Sequence, residues 1–160
     1  MALALCAAGA WAQSAPQNPF SNDVRQLYEG GKRTLLAAAE QMPEADYAFR
    51  PTPEVRTFGQ LVAHIAEYQF IYCGQVKGEQ QQPTIERDKH TKAELIAALR
   101  QGFAYCDPVY TQITDAAGAQ TTGRRTKLVQ LMVNVSHNNE HYGNIVTYMR
   151  LRGKVPPSSQ

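Results

Sequence analysis

Apolar residues return at three- and four-residue intervals in four separate stretches of the chain. Nowhere do several short runs alternate apolar and polar positions as a half-buried sheet requires. The first stretch, residues 21–42, carries Val24, Leu27, Tyr28, Leu35, Ala38 and Met42 on one face, with Ser21 placed as N-cap and Pro43 as its stop. The second, residues 57–77, aligns Phe58, Leu61, Val62, Ile65, Tyr68, Tyr72 and Val76, and Gly78 halts it. Thr91 opens the third. With Glu94 it forms a capping box, in which hydroxyl and carboxylate each satisfy a backbone N–H left free in the first turn. Its stripe runs through Leu95, Leu99, Gly102, Phe103, Cys106 and Val109 or Tyr110 to Ile113, and Pro108, which lacks an N–H, predicts a kink or an early end. The fourth, residues 126–152, shows Leu128, Leu131, Val135, Tyr142, Ile145, Val146 and Met149 on one side and closes at Gly153, Pro156 and Pro157.

Four amphipathic helices of this length predict an all-α four-helix bundle, an architecture whose sites are built from side chains facing inward. The polar linker GEQQQPTIERDKH between the second and third helices can reach about 43 Å extended, against about 31 Å for the second helix itself. The chain can therefore cross back along the bundle, leaving the two middle helices parallel. Cys73 and Cys106 agree, because they lie at matching depth only if those helices run the same way. In an antiparallel pair they would be offset by roughly 16 Å, beyond the reach of a disulfide.

Composition narrows the class. One hundred and sixty residues suffice for one domain with a real core, and 16 Lys+Arg against 14 Asp+Glu give a formal net charge of +2. The only basic knot is Arg124, Arg125 and Lys127, which is not the footprint of a nucleic-acid binder. No apolar run approaches the roughly 20 residues of a membrane span. Residues 1–12, MALALCAAGAWA, are uncharged, apolar and end in Ala10-Trp11-Ala12, an A-x-A site of the signal-peptidase type, so cleavage is expected before Gln13. The expected organisation is a signal-peptide remnant at 1–12, a flexible segment at 13–20 and the bundle domain at 21–160, in a periplasmic or secreted protein. Cys6 leaves with the signal, and the remaining pair, Cys73 and Cys106, is expected to form a disulfide in an oxidising compartment.

The chemistry concentrates in the histidines. His137 and His141 stand four apart in Ser-His-Asn-Asn-Glu-His, about 40° apart on one face of the fourth helix, a spacing that lets two imidazoles bind one ion. His64 flanks the apolar face of the second helix and supplies a third ligand. Three neutral imidazoles and an open position make a catalytic divalent-metal site, because the ion acidifies water or polarises a substrate oxygen. The plainer reading keeps His64 as a hydrogen-bonded core-edge residue and the helix-four pair as solvated. His90, between Lys89 and Thr91, belongs to a solvated loop. HNNEH also matches the H-x-x-E-H of inverted zinc peptidases, but no Asp, Glu or His follows Tyr142 to complete that site. Tyr68, Asn134, Asn138 and Glu140 are candidates, by position, for supporting the ligands or touching substrate.

The order of elements, with MPEADYAFRPTPEVRTFGQLVAHIAEYQF around His64 and HNNEHYGNIVTYMRLRGKVPPSS near the end, resembles the DinB/YfiT-like family over residues 22–159. The resemblance implies a four-helix bundle with a long crossover and parallel middle helices. It also implies a divalent ion, zinc or nickel, on His64, His137 and His141, and pairing as a homodimer. Activity is then expected to be metal-dependent hydrolysis of a small molecule or thiol-dependent S-transfer. Low-molecular-weight thiols belong chiefly to the cytosol, so an exported chain favours the hydrolase. The contrasting class is a non-catalytic metal-binding or structural bundle.

Overall fold

A computed structural model describes residues 17–160. The export signal expected at 1–12, and residues 13–16 of the segment expected to be flexible, lie outside the described residues. The elements are α1 (Pro19–Gln41), α2 (Phe58–Lys77), the single turn α3 (Ile85–Asp88), α4 (Lys92–Gln112), the turn α5 (Asp115–Gly118), a hairpin of β1 (Thr121–Thr122) and β2 (Arg125–Thr126), and α6 (Lys127–Leu151). The long helices α1, α2, α4 and α6 are the four predicted stretches. No helix among the described residues is long and apolar enough to cross a membrane.

Local chemistry sets the ends. Thr57 caps α2 in a full capping box with Gln60, Thr91 caps α4 in the box with Glu94, and the Thr126 hydroxyl accepts from the Val129 N–H at the head of α6. Gly78, at φ 79°, takes the left-handed turn that ends α2, a conformation costly for other residues. Three expectations need correction. α1 begins at Pro19, not Ser21. Its orphan N–H groups at Phe20 and Ser21 are taken by the Asp115 carboxylate from α5, at 3.3 and 2.8 Å, so the cap comes from a residue distant in sequence. Of the kink or early end expected at Pro108, the early end does not occur, and α4 continues to Gln112. Leu27, expected on the core face of α1, is 52% exposed.

The middle helices are parallel. A Cβ on Gly59 would sit 3.3 Å from Leu95, one on Gly102 would sit 2.8 Å from the Ala66 carbonyl, and Phe70 meets Tyr105 at 5.2 Å between ring centroids. A disulfide joins Cys73 to Cys106, with 5.5 Å between the Cα atoms. α6 runs antiparallel to α2, bringing Asn134 and Asn138 to Gln69. α1 runs antiparallel to α4, where Tyr28 stacks on Tyr110 at 3.8 Å and Lys92 reaches the carbonyls of Glu40 and Met42. The core is continuous through the bundle, with Leu35, Phe58, Ile65, Leu99, Phe103, Leu131, Ile145 and Met149 each essentially inaccessible.

Candidate metal centre

The packing of α2 against α6 decides where the histidines fall. Gln69 is fully buried, and its amide donates to the Asn138 side chain at 2.7 Å while accepting from Asn134 at 3.0 Å. Three amides with no access to water are held by one another, which fixes the rotation and register of α6 on α2. That register sets His137 and His141, one turn apart on α6, opposite His64 on α2.

The three imidazoles converge. His137 Nε2 is 3.1 Å from His64 Nε2 and 3.1 Å from His141 Nε2, and the three rings offer donor atoms within 4.8 Å of one another. His64 and His141 are buried and His137 half-buried. The rings are oriented from outside. Glu86 accepts the His64 Nδ1 proton at 2.6 Å, which leaves the Nε2 lone pair of His64 facing the other two rings. Tyr68 stacks on His137 at 4.8 Å and also packs on His64 at 4.4 Å, while Tyr72 meets His137 edge-on at 5.4 Å. Arg56 approaches the second oxygen of Glu86 at 3.6 Å.

These residues suit a divalent ion. Burial, then the neighbouring imidazoles of His141 and His64, hold His137 down to about 3, and burial together with His64 lowers His141 as well. Both rings are therefore neutral at ordinary pH, as ligands must be. Neutral rings with Nε2 atoms this close cannot all direct protons at one another, and the Nδ1 atoms of His137 and His141 have no hydrogen-bond partner among the described residues. A cation among three lone pairs resolves the conflict. The 3.1 Å spacings of His137 Nε2 from its two neighbours would let His64, His137 and His141 together hold one divalent ion.

The remaining sequence candidates separate. Tyr68 touches the cluster. Asn138 is buried at the edge of the cluster and engaged by Gln69, whereas Asn134 lies by the disulfide, its amide 3.8 Å from both sulfurs. Glu140 is exposed and its side chain makes no hydrogen bond among the described residues, although its charge is felt at His141. His90 is exposed, as expected. Sequence reasoning missed Glu86, Arg56 and Gln69. Glu86 lies in the crossover, within α3, which is docked by the partly buried Ile85 and by the Glu86 N–H donating to Glu67 at 2.9 Å. A lone isoleucine inside an otherwise polar linker was the available signal.

The model of the DinB superfamily matches residues 27–145. Among solved structures, a DinB-like protein from Bacillus cereus ATCC 10987 is similar at a TM-score of 0.72 and 16% identity, covering 85% of this chain and 95% of that one. A candidate DinB-family member from Exiguobacterium sibiricum 255-15 is similar at 0.68 and 13% identity, with 86% and 95% covered. A conserved protein from Enterococcus faecalis is similar at 0.63 and 16%, with 82% and 95% covered. No curated protein matches the chain significantly.

Proposed function

The chain belongs to the DinB superfamily, and from that premise we propose that it is a divalent-metal-dependent enzyme, a hydrolase of small molecules whose ion is held by His64, His137 and His141. The observation that carries this reading is the convergence of three Nε2 atoms, with His64 already oriented by a carboxylate. A divalent ion in that position supplies Lewis acidity, polarising a substrate oxygen or acidifying water. The chain's own groups do the rest. Glu86 keeps the His64 proton on Nδ1 and so keeps Nε2 available. Arg56 offsets the charge of Glu86, and Tyr68 and Tyr72 wall the half-buried ring of His137, where a substrate gains access. The all-nitrogen donor set suits zinc or nickel. The Cys73–Cys106 disulfide supports a periplasmic or secreted location, where a hydrolase is favoured over a transferase needing a cytosolic thiol. Pairing into a homodimer, as the family resemblance implies, belongs to the same reading and is checked by light scattering.

The test is turnover of a panel of small esters, amides and activated leaving-group substrates by metal-restored protein. His64→Ala serves as the blank, because it removes one ligand and leaves the α6 pair intact. Activity in the parent and none in the blank supports the reading. Equal activity in both refutes it, and a metal-loaded protein inert across the hydrolytic panel moves the assignment to a non-catalytic metal-binding bundle.

A further inference from the structure

The basic knot of the sequence is not used by the histidine centre, and the fold gives it a setting. Arg124 and Arg125 lie on the β1–β2 hairpin, whose antiparallel pairing of Thr122 with Arg125 leaves Gly123 and Arg124 as the turn, with Gly123 at φ 62°. The hairpin is pinned to the last turn of α2 by the Thr122 hydroxyl, which donates to the Gln75 carbonyl at 2.7 Å. Between them is a cavity of about 530 Å³, lined by Gln75, Thr122, Arg124, Arg125 and Gln130 among others.

Three observations give this cavity its preference. Neither arginine forms an ion pair among the described residues, so two guanidiniums face the cavity uncompensated. The one carboxylate on its wall, Glu79, is already engaged by Lys77 at 3.0 Å, by the Tyr105 hydroxyl and by Gln81 at 3.0 Å. Gln130 lines the cavity while only 5% exposed, and its amide hydrogen-bonds to no described residue. That amide reaches solvent through the cavity, so an acceptor entering there would meet its N–H donors. Guanidiniums fork onto planar carboxylate and tetrahedral phosphate oxygens.

The cavity also shares a face with the histidines. Gln130 precedes His137 by seven residues on α6, two turns or about 10 Å along the same side, and Gln75 follows Tyr72 by one turn on α2. We propose that this cavity is an anion subsite, and that the molecule processed at the histidine centre carries a carboxylate or phosphate on the part that extends along α6 toward the hairpin. The substrate role rests on the metallohydrolase reading. The anion site stands or falls by itself.

Two arms separate them. In the first, chelator-stripped protein is titrated with glutarate and with inorganic phosphate by calorimetry, against chloride at matched ionic strength. The variants are Arg124→Gln/Arg125→Gln, Gln130→Leu, and His137→Ala, with Arg33→Gln as a single-charge control on α1. At least one probe should bind, with affinity at least tenfold weaker in the double-arginine variant and unchanged in Arg33→Gln and His137→Ala. Binding of neither probe, equal loss in the Arg33→Gln control, or retention in the double variant overturns the site. In the second, metal-restored protein is offered a carboxylate-tailed ester and a neutral ester of the same leaving group. The double-arginine change should raise KM for the tailed ester at least tenfold, with kcat little changed and the neutral ester unaffected. Parallel effects on both esters overturn the substrate role. Absence of all turnover removes the hydrolase reading and the substrate role with it, leaving the anion site to be judged on the first arm.

Discussion

Replacing Glu86 isolates the contribution of the crossover to the metal centre. Its carboxylate accepts the His64 Nδ1 proton at 2.6 Å, with the Glu86 side chain 33% exposed and that of His64 only 9%. A hydrogen bond to a charged group contributes roughly 1.5–3 kcal/mol, and removing such a partner of a ligating histidine typically lowers metal affinity 10–100-fold. Partial exposure of the carboxylate screens it, which places Glu86→Gln near the low end, about tenfold, since the amide oxygen still accepts the proton. Glu86→Ala also removes the acceptor and frees the ring to turn, so about 100-fold is expected. Both are read by competition with a chromophoric zinc chelator at fixed pH. Asp88→Asn, in the same turn but paired only with Arg87 and Thr84, is the control and should leave affinity unchanged. Affinity within twofold of the parent in Glu86→Ala would refute the claim that this carboxylate orients His64.

Other outcomes follow from the same geometry. The disulfide closes a separation of 33 residues, so Cys73→Ser/Cys106→Ser should cost about 3–4 kcal/mol by the chain-entropy model, lowering Tm by on the order of 10 °C; thiol titration of unfolded, unreduced protein should find neither cysteine free. Gly102→Ala places a Cβ 2.8 Å from the Ala66 carbonyl, where backbone must yield, and should destabilise by about 1–3 kcal/mol in urea unfolding, whereas Gly143→Ala, which meets nothing within 4 Å, should not. In metal-stripped protein, His137 at about 3 lies below its unfolded value near 6.5, so between those limits the unfolded chain binds more protons. Stability should therefore be insensitive to this group above about pH 6.5 and decline as pH falls toward 3. Urea midpoints from pH 7.5 to 4 should show a shallower decline in His137→Asn, and an identical slope would contradict the assignment.

How much of this was legible in the chain varies with the kind of interaction. α4 starts at the capping box read at Thr91 and α2 stops at Gly78, because those signals act within a turn. The start of α1 was misplaced because Asp115, distant in sequence, supplies the cap. Parallel α2 and α4 followed from equal cysteine depth, a purely geometric argument. The three histidines were visible as a spacing on α6 plus one core-edge residue on α2, but their supports were not. Glu86 and Arg56 reach the site from loops that look solvated in sequence. Gln69 sits among apolar neighbours and is tolerable there only because Asn134 and Asn138 arrive from α6. Glu140 drew notice through the pattern H-x-x-E-H, yet a residue adjacent to His141 on a helix points about 100° away from it and ends in solvent.

The central claim is that one divalent ion is held by His64, His137 and His141. Its most direct test is the metal content of tag-free protein, purified without chelator and restored with zinc or nickel, measured by elemental analysis alongside His137→Ala/His141→Ala. The expected result is one ion per chain in the parent and less than a tenth of that in the double variant, with the helical circular dichroism of both alike. Metal retained at parental stoichiometry after loss of both α6 histidines, or none taken up by the folded parent, would contradict it.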